Sequence, residues 1–507
     1  MVSGWDTRLR RLDPRVVALA FAAVASVAFL VTEPPVGDFW AARARQSAVA
    51  HGVGLQYWFS WFGGIVPGNY SVLTPYLSRF IDAALLGAAS TLLVTALSYV
   101  LLRGSRHAVA GTWLAAVGSS VSLWSGRVPF AFGTVLMLIA LLLVRRERRW
   151  AAGAAGALTA LVSPVSAAFL ILGLSGVALH DRQRRVSALA AAATSGACLL
   201  GVALYFGMPG PENFPALSAF GATAAIAALL LAKPPAYIRT VLLISLVACP
   251  LLAIIPNGMG SNFERFAWIC LPVATVATAQ AQARRAIGLG AAALSLSLIG
   301  SGHDLYVAAQ PMSTDAYYQG LIGQLDRTSG LADYRVEVVP DGTHVAAYAL
   351  LDHATLARGF ETQADNAYNK VLESPTLNAR TFRAWLDTNA VGYVALDHRT
   401  LNPSPEDKLV RAGRLPYLRR VWSDANWQLF AVTHPTPIVA APAEVVAADQ
   451  ASLTLATPKP GQLGVRIRWS RFLQVQGPAG TPAQLQPDGK GWTILLAPRA
   501  GDYVVTG

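Results

Sequence analysis

Cysteine is scarce in this chain, and so is charge. Cys198, Cys249 and Cys270 are the only cysteines in 507 residues, and all lie inside apolar runs. They make no disulfide framework and no zinc spacing, so they read as small buried hydrophobes. Charged residues are 13% of the chain, against roughly 25% in globular domains. That excludes a wholly soluble protein. Hydrophobic residues are 54% and the mean hydropathy is +0.43, so much of the chain belongs in lipid. Acidic charge is short in the first part. Through Gly302 there are 22 Lys/Arg and 9 Asp/Glu; from His303 onward there are 18 and 19. The net charge of +12 therefore belongs to the apolar part. Its arginines sit between apolar runs and form no separate basic domain, which argues against a nucleic-acid partner. No phosphate-binding glycine loop, G-x-S-x-G elbow or dinucleotide fingerprint occurs.

What is present is a series of apolar runs near 16–32, 81–102, 108–124, 130–144, 150–162, 165–180, 187–205, 218–232, 238–255, 267–283 and 286–302. They predict about eleven spans, several shorter than the roughly 20 residues of a perpendicular helix. The pair around Ser163-Pro164-Val165-Ser166 can also be read as one broken or re-entrant element, which leaves the parity unchanged. Arg8, Arg10, Arg11 and Arg15 precede the first run, as in a signal peptide or a first span. Thr32-Glu33-Pro34-Pro35 is a poor cleavage site, so an uncleaved span is expected. With the N-terminus cytoplasmic, the inner ends carry 17 Lys/Arg and the outer ends only Arg43, Arg45, Arg79, Arg127 and Arg265. The positive-inside rule selects that orientation. An odd span count then places everything after Gly302 outside a plasma membrane.

The first outer loop, 33–80, is the long one, and long loops carry function. It opens Glu33-Pro34-Pro35-Val36-Gly37-Asp38-Phe39-Trp40. A helical stretch with Arg43, Arg45, Gln46 and His51 follows, then the aromatic segment Tyr57, Trp58, Phe59, Trp61 and Phe62. Such rings suit the headgroup interface. Asp38 places a carboxylate at the outer face, where it can act as general base toward a sugar hydroxyl or cap the helix after it.

This layout resembles the GT-C class of membrane glycosyltransferases: a first span, an acid at the start of a large outer loop of interfacial helices, a bundle, and a C-terminal outer domain. The resemblance covers the membrane half. Members of that class move a sugar from a polyprenyl-phosphate carrier to an acceptor on the outer face, with the first-loop acid as base. By position that role maps onto Asp38. Many members have a paired acid, whereas Phe39 follows Asp38 here. Both halves of the chain are also similar to a group of uncharacterised envelope membrane proteins often labelled major-facilitator transporters. The shared-looking stretches are 68–73 (Gly-Asn-Tyr-Ser-Val-Leu), Ser163-Pro164-Val165, 260–266 (Gly-Ser-Asn-Phe-Glu-Arg-Phe), 357–363 (Ala-Arg-Gly-Phe-Glu-Thr-Gln) and 390–396 (Ala-Val-Gly-Tyr-Val-Ala-Leu). That similarity implies no activity.

Other outer-face residues are candidates for substrate or phosphate binding. Arg265 suits a carrier phosphate because a guanidinium binds it bidentately; it can equally pair with Glu264 or Asp38, or snorkel. Glu264 and Asn262 share its polar loop, 257–265, and Tyr70 closes the long loop. Arg127 is the only charge in its loop. Asp82 opens the second span, and an acid at a span end often just faces the interface. His51 and His303 can relay protons or bind phosphate, although a lone histidine is commonly structural. No histidine and acid share helical metal-ligand spacing. No metal site is therefore read from these residues and no cofactor is expected, although the GT-C resemblance leaves a divalent metal open because metal-assisted members exist; the lipid-linked sugar is a substrate. The middles of the apolar runs hold no Asp, Glu, Lys or His, which counts against an ion-coupled transporter. A single broken segment without a matching partner counts against transporter repeats.

From His303 the pattern becomes that of a folded domain. Helices are predicted over 313–326 and 376–389, the latter with Phe382, Trp385 and Leu386 on one face. Strands are predicted over 334–339, 391–396, 418–422 and 427–432. The loop around Arg358-Gly359-Phe360-Glu361, with Gln363, Asp365, Asn366, Tyr368 and Asn369, suits sugar hydroxyls or docking onto the membrane part. After a proline-rich junction, strands at 465–469, 492–496 and 503–505 predict a small β-sandwich. The expected fold is thus a polytopic α-helical membrane bundle (1–302) with an extracytoplasmic α/β domain (303–436) and a β-sandwich module (437–507). The expected function is outer-leaflet transfer of a sugar from a polyprenyl-phosphate donor to an envelope glycan or glycolipid. A non-catalytic envelope assembly protein and a lipid or solute transporter are the alternatives. The expected partners are membrane lipids, the lipid-linked donor and the acceptor.

Overall fold

The computed structural model describes residues 13–208 and 210–507. Arg8, Arg10 and Arg11 lie outside the described residues. The chain forms two compact units. Unit 1 comprises the chain up to Pro34 and Tyr70–Tyr306; unit 2 comprises Pro35–Asn69 and Val307–Gly507. The outer loop that the sequence reading keeps with the membrane half is therefore divided, and its first part belongs with the C-terminal domain.

In unit 1 every apolar run is helical. Among the described residues, Pro14–Thr32, Ala83–Leu101, Val128–Arg145, Arg185–Phe206, Ala236–Ile254 and Ala283–Ala308 are long and apolar enough to cross a membrane. Ala108–Trp124, Pro164–His180 and Ala216–Leu230 are shorter apolar helices. Small hydroxyl residues join neighbours across backbone carbonyls, as helices do where lipid supplies no hydrophobic drive. Ser195 donates to the Gly156 carbonyl at 2.9 Å and Thr194 to that of Gly153 at 2.7 Å.

The Ser163-Pro164 signal marks a real break. Arg149–Val162 ends and Pro164–His180 begins with only Ser163 between them, in extended conformation. Proline at the first helical position needs no N–H partner, and the Ser163 hydroxyl caps the new helix by accepting from the Ser166 N–H. The last carbonyls of the first helix are satisfied from elsewhere. Val72 and Leu73 donate their N–H groups to Leu161, and the Ser71 hydroxyl donates to Val162 at 2.8 Å. Residues 71–73 are thus bonded to the end of the helix that precedes Ser163-Pro164.

In unit 2, β1 (Arg335–Val338), β2 (Val391–Asp397), β3 (Leu418–Ser423) and β4 (Trp427–Val432) make a sheet in the order β1-β2-β4-β3. Only β1 and β2 are parallel, so a long crossover must join them. It includes Thr362–Tyr368 and Ala379–Thr388, the second of which buries Phe382, Trp385 and Leu386. The C-terminal module has two sheets. One is β5 (Glu444–Ala448), β6 (Ser452–Thr457), β11 (Gly501–Thr506) and β8 (Gln474–Gln476); the other is β7 (Gly461–Arg468), β10 (Trp492–Ala497) and β9 (Gln484–Pro487).

The aromatic segment of the first loop is core, not a headgroup belt. Trp40, Trp58, Trp61 and Phe62 are buried with Tyr317, Tyr318, Leu321 and Trp427. Tyr57 and Phe59 complete the core of the two-sheet module beside Leu455, Val465 and Tyr503. Burying rings of this size removes far more apolar area from water than an interfacial position would. Two polar tips find partners: the Tyr57 hydroxyl reaches the Arg468 carbonyl at 2.8 Å and the Trp61 indole the Ala347 carbonyl at 3.0 Å.

Candidate active site

Unit 1 contains an apolar cavity of about 160 Å³ among its helices. One end is walled by Phe130, Phe169 and Phe266, and the other by Leu101, Leu102 and Leu141. Phe169 stacks on Phe266 at 4.7 Å and meets Phe130 edge-on at 5.9 Å. The Phe266–Cys270 segment is a π-helical turn, a distortion frequent at functional sites. At this aromatic end the Arg265 guanidinium lies over the Phe130 ring, 5.4 Å from its centre. Glu264 sits near Ser218 and within electrostatic reach of both Arg127 and Arg265. An apolar cavity with a guanidinium beside its aromatic end suits an apolar group with an anionic head.

The nearby polar loop is held rigidly. The Asn257 side chain accepts from the N–H groups of Met259 and Gly260. Glu212 accepts from the Ser261 hydroxyl at 3.3 Å and donates its backbone N–H to the Asn257 carbonyl. Asn262 lies in the single 3-10 turn Gly260–Phe263 that results.

Asp38 lies in unit 2, in the first turn of the helix Gly37–Ala50. The helix is capped by Val36 without a side-chain bond, so Asp38 is not its N-cap. A carboxylate in a first turn is still favoured by the helix dipole. Asp38 lies within electrostatic reach of His344. That ring stacks on Phe360 with centres 4.2 Å apart, and both rings lie against Gly37. His344 shows part of its surface to solvent but is crowded on its other sides. That crowding lowers its pKa, against the pull of Asp341, Asp365 and Asp38.

Behind His344 a charged network centres on Arg358. It binds Asp365 in a fork, Nε to Oδ1 at 3.0 Å and Nη2 to Oδ2 at 2.6 Å. It also reaches Glu406 at 3.1 Å, Glu373 at 3.6 Å and Glu337 at 3.8 Å. Glu337 and Glu406 are wholly buried. Burial, then the charge of Glu406, drives the Glu337 carboxyl far above its ordinary value; burial drives Glu406 up to about 7 against the pull of Arg358. Burial and the mutual repulsion of the two acids favour a shared proton over two charges.

The expected site residues fall into two groups. Arg127, Glu264, Arg265, Asn262 and Tyr70 belong to unit 1, whereas Asp38 and His51 belong to unit 2. The structure brings Arg127, Glu264 and Arg265 together. Asp38 and His51 do not meet. They stand at opposite ends of one helix, roughly 20 Å apart at 1.5 Å per residue. His51 bonds the Ser47 carbonyl at 2.9 Å and lies 3.3 Å from the Gln450 amide. Asp82 is a helix cap, accepting from the Ala84 N–H at 2.8 Å. His303 is exposed along Ala283–Ala308. Sequence reasoning missed His344, Glu337 and Glu406. The signal available was two acids in otherwise apolar or capping contexts, and it resembles that of ordinary surface positions. Among the described residues no cluster of three or more His, Cys, Asp or Glu is arranged to hold a metal ion.

No known family profile matches this sequence. No curated protein matches it either. Solved structures do match. Two are cryo-EM structures of the arabinofuranosyltransferase AftD from Mycobacteria. A mutant form is 15% identical, with a TM-score of 0.43, over 88% of this chain and 43% of that one. A second is 14% identical, with a TM-score of 0.42, over 98% of this chain and 58% of that one. This chain thus spans about half the length of those proteins. At such scores the likeness is loose and assigns no activity.

Proposed function

We propose that this chain is a membrane glycosyltransferase of the GT-C type. It takes a sugar from a polyprenyl-phosphate carrier and transfers it to a cell-envelope glycan or glycolipid at the outer face of the plasma membrane. The observation that supports this most is the apolar cavity whose aromatic end carries Arg265 over Phe130. The part of the polyprenyl chain next to the phosphate enters the cavity, and Arg265 and Arg127 hold the phosphate. Asp38 is the base. It takes the proton from an acceptor hydroxyl as that oxygen bonds the anomeric carbon. The bond from the anomeric carbon to the phosphate oxygen breaks, and its electron pair stays on the carrier. Guanidinium groups placed there stabilise the charge that develops.

The test uses the full chain in lipid nanodiscs with a radiolabelled polyprenyl-phosphate sugar and a crude envelope-glycan acceptor. Asp38→Asn should lower transfer at least a hundredfold while leaving donor binding intact. Unchanged transfer would remove Asp38 as base. Movement of the lipid across vesicles without any sugar turnover would replace the transferase with a lipid transporter, which can use the same apolar cavity.

A further inference from the structure

Unit 2 has a cavity of about 190 Å³ lined by apolar and charged side chains. It opens at the carboxyl end of β1, where Val338 and Val339 lead into Pro340 and Asp341. Ligands of open α/β sheets commonly bind beyond the carboxyl ends of parallel strands. The position is consistent with that rule, because β1 and β2 are the parallel pair of this sheet.

The lining selects a ligand class. One wall is Arg358, Asp365 and Glu373, and Ala346, Ala347 and Leu356 supply an apolar surface. Arg358 is already engaged by carboxylates on several sides, so an anionic ligand would meet net negative charge. Asp365 keeps acceptor capacity beyond its bonds to Arg358 and Asn369. Glu373 is 57% exposed at the side chain, with Arg358 as an ion-pair neighbour. Carboxylates accept from vicinal hydroxyls, and the stacked His344–Phe360 pair offers a flat face beside them. Apolar surface with a few convergent polar groups is the usual make-up of a small-molecule site. The volume suits one sugar ring. His344 lines this cavity and also lies within reach of Asp38.

We infer that this cavity binds one neutral sugar ring of the acceptor, held by the carboxylates of Asp365 and Glu373, which Arg358 positions, with His344 lining the cavity within reach of Asp38. The acceptor role rests on the transferase reading; sugar binding by the cavity does not.

The experiment measures binding of methyl α-D-glucopyranoside, methyl α-D-mannopyranoside and methyl α-D-arabinofuranoside to the full chain in nanodiscs, by saturation-transfer NMR without donor. At least one should bind. Ala346→Leu, which fills the cavity, and Glu373→Gln, which alters an exposed group, should each weaken it at least fivefold. In transfer assays both should raise the acceptor KM by a similar factor and leave kcat within about twofold. Absence of glycoside binding, or binding indifferent to both variants, overturns the inference. So does selective binding of methylammonium, which would make the cavity a cation site. Asp38→Asn separates the two readings: it should abolish transfer and leave glycoside binding unchanged.

Discussion

The Arg45 guanidinium donates to the Glu361 carboxylate at 2.9 Å across 316 residues of sequence, and both side chains are buried. Arg45 also lies over the Trp61 ring, 5.5 Å from its centre. Beside them Gly359 packs so closely on Trp61 that a Cβ would stand 2.4 Å from the ring. These contacts tie the first loop to the β1–β2 crossover, and so position the helix that carries Asp38. Glu361→Ala would leave Arg45 buried without its partner, at a cost of about 3–5 kcal/mol. The double variant Arg45→Met, Glu361→Leu should recover most of that. Thermal unfolding and protease resistance of residues 35–69 measure it. Equal losses in the single and double variants would show the pair to be incidental.

Gly133 should tolerate no side chain. A Cβ there would lie 2.5 Å from the Ser163 Cβ and 2.6 Å from the Ser166 hydroxyl. Those residues form the helix break, so Gly133→Ala should destabilise unit 1 by about 1–3 kcal/mol through overpacking. A melting temperature in detergent within a degree of the parent would refute the close packing.

Arg265→Ala should weaken binding of undecaprenyl phosphate at least tenfold and leave binding of undecaprenol almost unchanged. The reason is that the substitution removes a guanidinium and spares the apolar lining. Fluorescence competition in nanodiscs gives both numbers. Equal weakening of the two lipids would mean that Arg265 acts only through packing.

The buried acids make unit 2 sensitive to pH in a defined direction. Glu406 is raised from an ordinary 4.5 to about 7, and Glu337 is raised well beyond the carboxylate range. A raised carboxyl binds its proton more tightly folded than unfolded. Its stabilising contribution is therefore complete below about 4.5 and is lost as pH climbs through about 7. Glu337→Gln mimics the protonated acid and should flatten the decline above pH 7. Hydrogen exchange of β1 and β2 across pH 5 to 9 reads this. An identical decline in Glu337→Gln would put the proton elsewhere.

Local chemistry made much of the architecture legible. The apolar runs became helices because nothing polar interrupts them, and Ser163-Pro164 broke one because proline lacks the N–H that a continuing helix needs. The alternation in 334–339 marked β1, and Phe382, Trp385 and Leu386 marked the helix face above the sheet. What local pattern did not disclose was burial of charge. Arg335 and Glu337 read as the solvent side of a strand, yet both are buried, because the crossover and β7 cover that face.

The long outer loop shows the same division. Its sequence settled that an acid follows the first span and that large rings follow the acid. Rings of that kind satisfy a headgroup belt and a protein core equally well, since both take an apolar body with a polar tip. Only the tertiary structure decided for the core, by supplying the Arg468 and Ala347 carbonyls that Tyr57 and Trp61 need. Composition likewise placed Asp38 and His344 on the page as two unrelated residues. Contact between chain segments some 300 residues apart is a property of packing, and it brought them within electrostatic reach of each other.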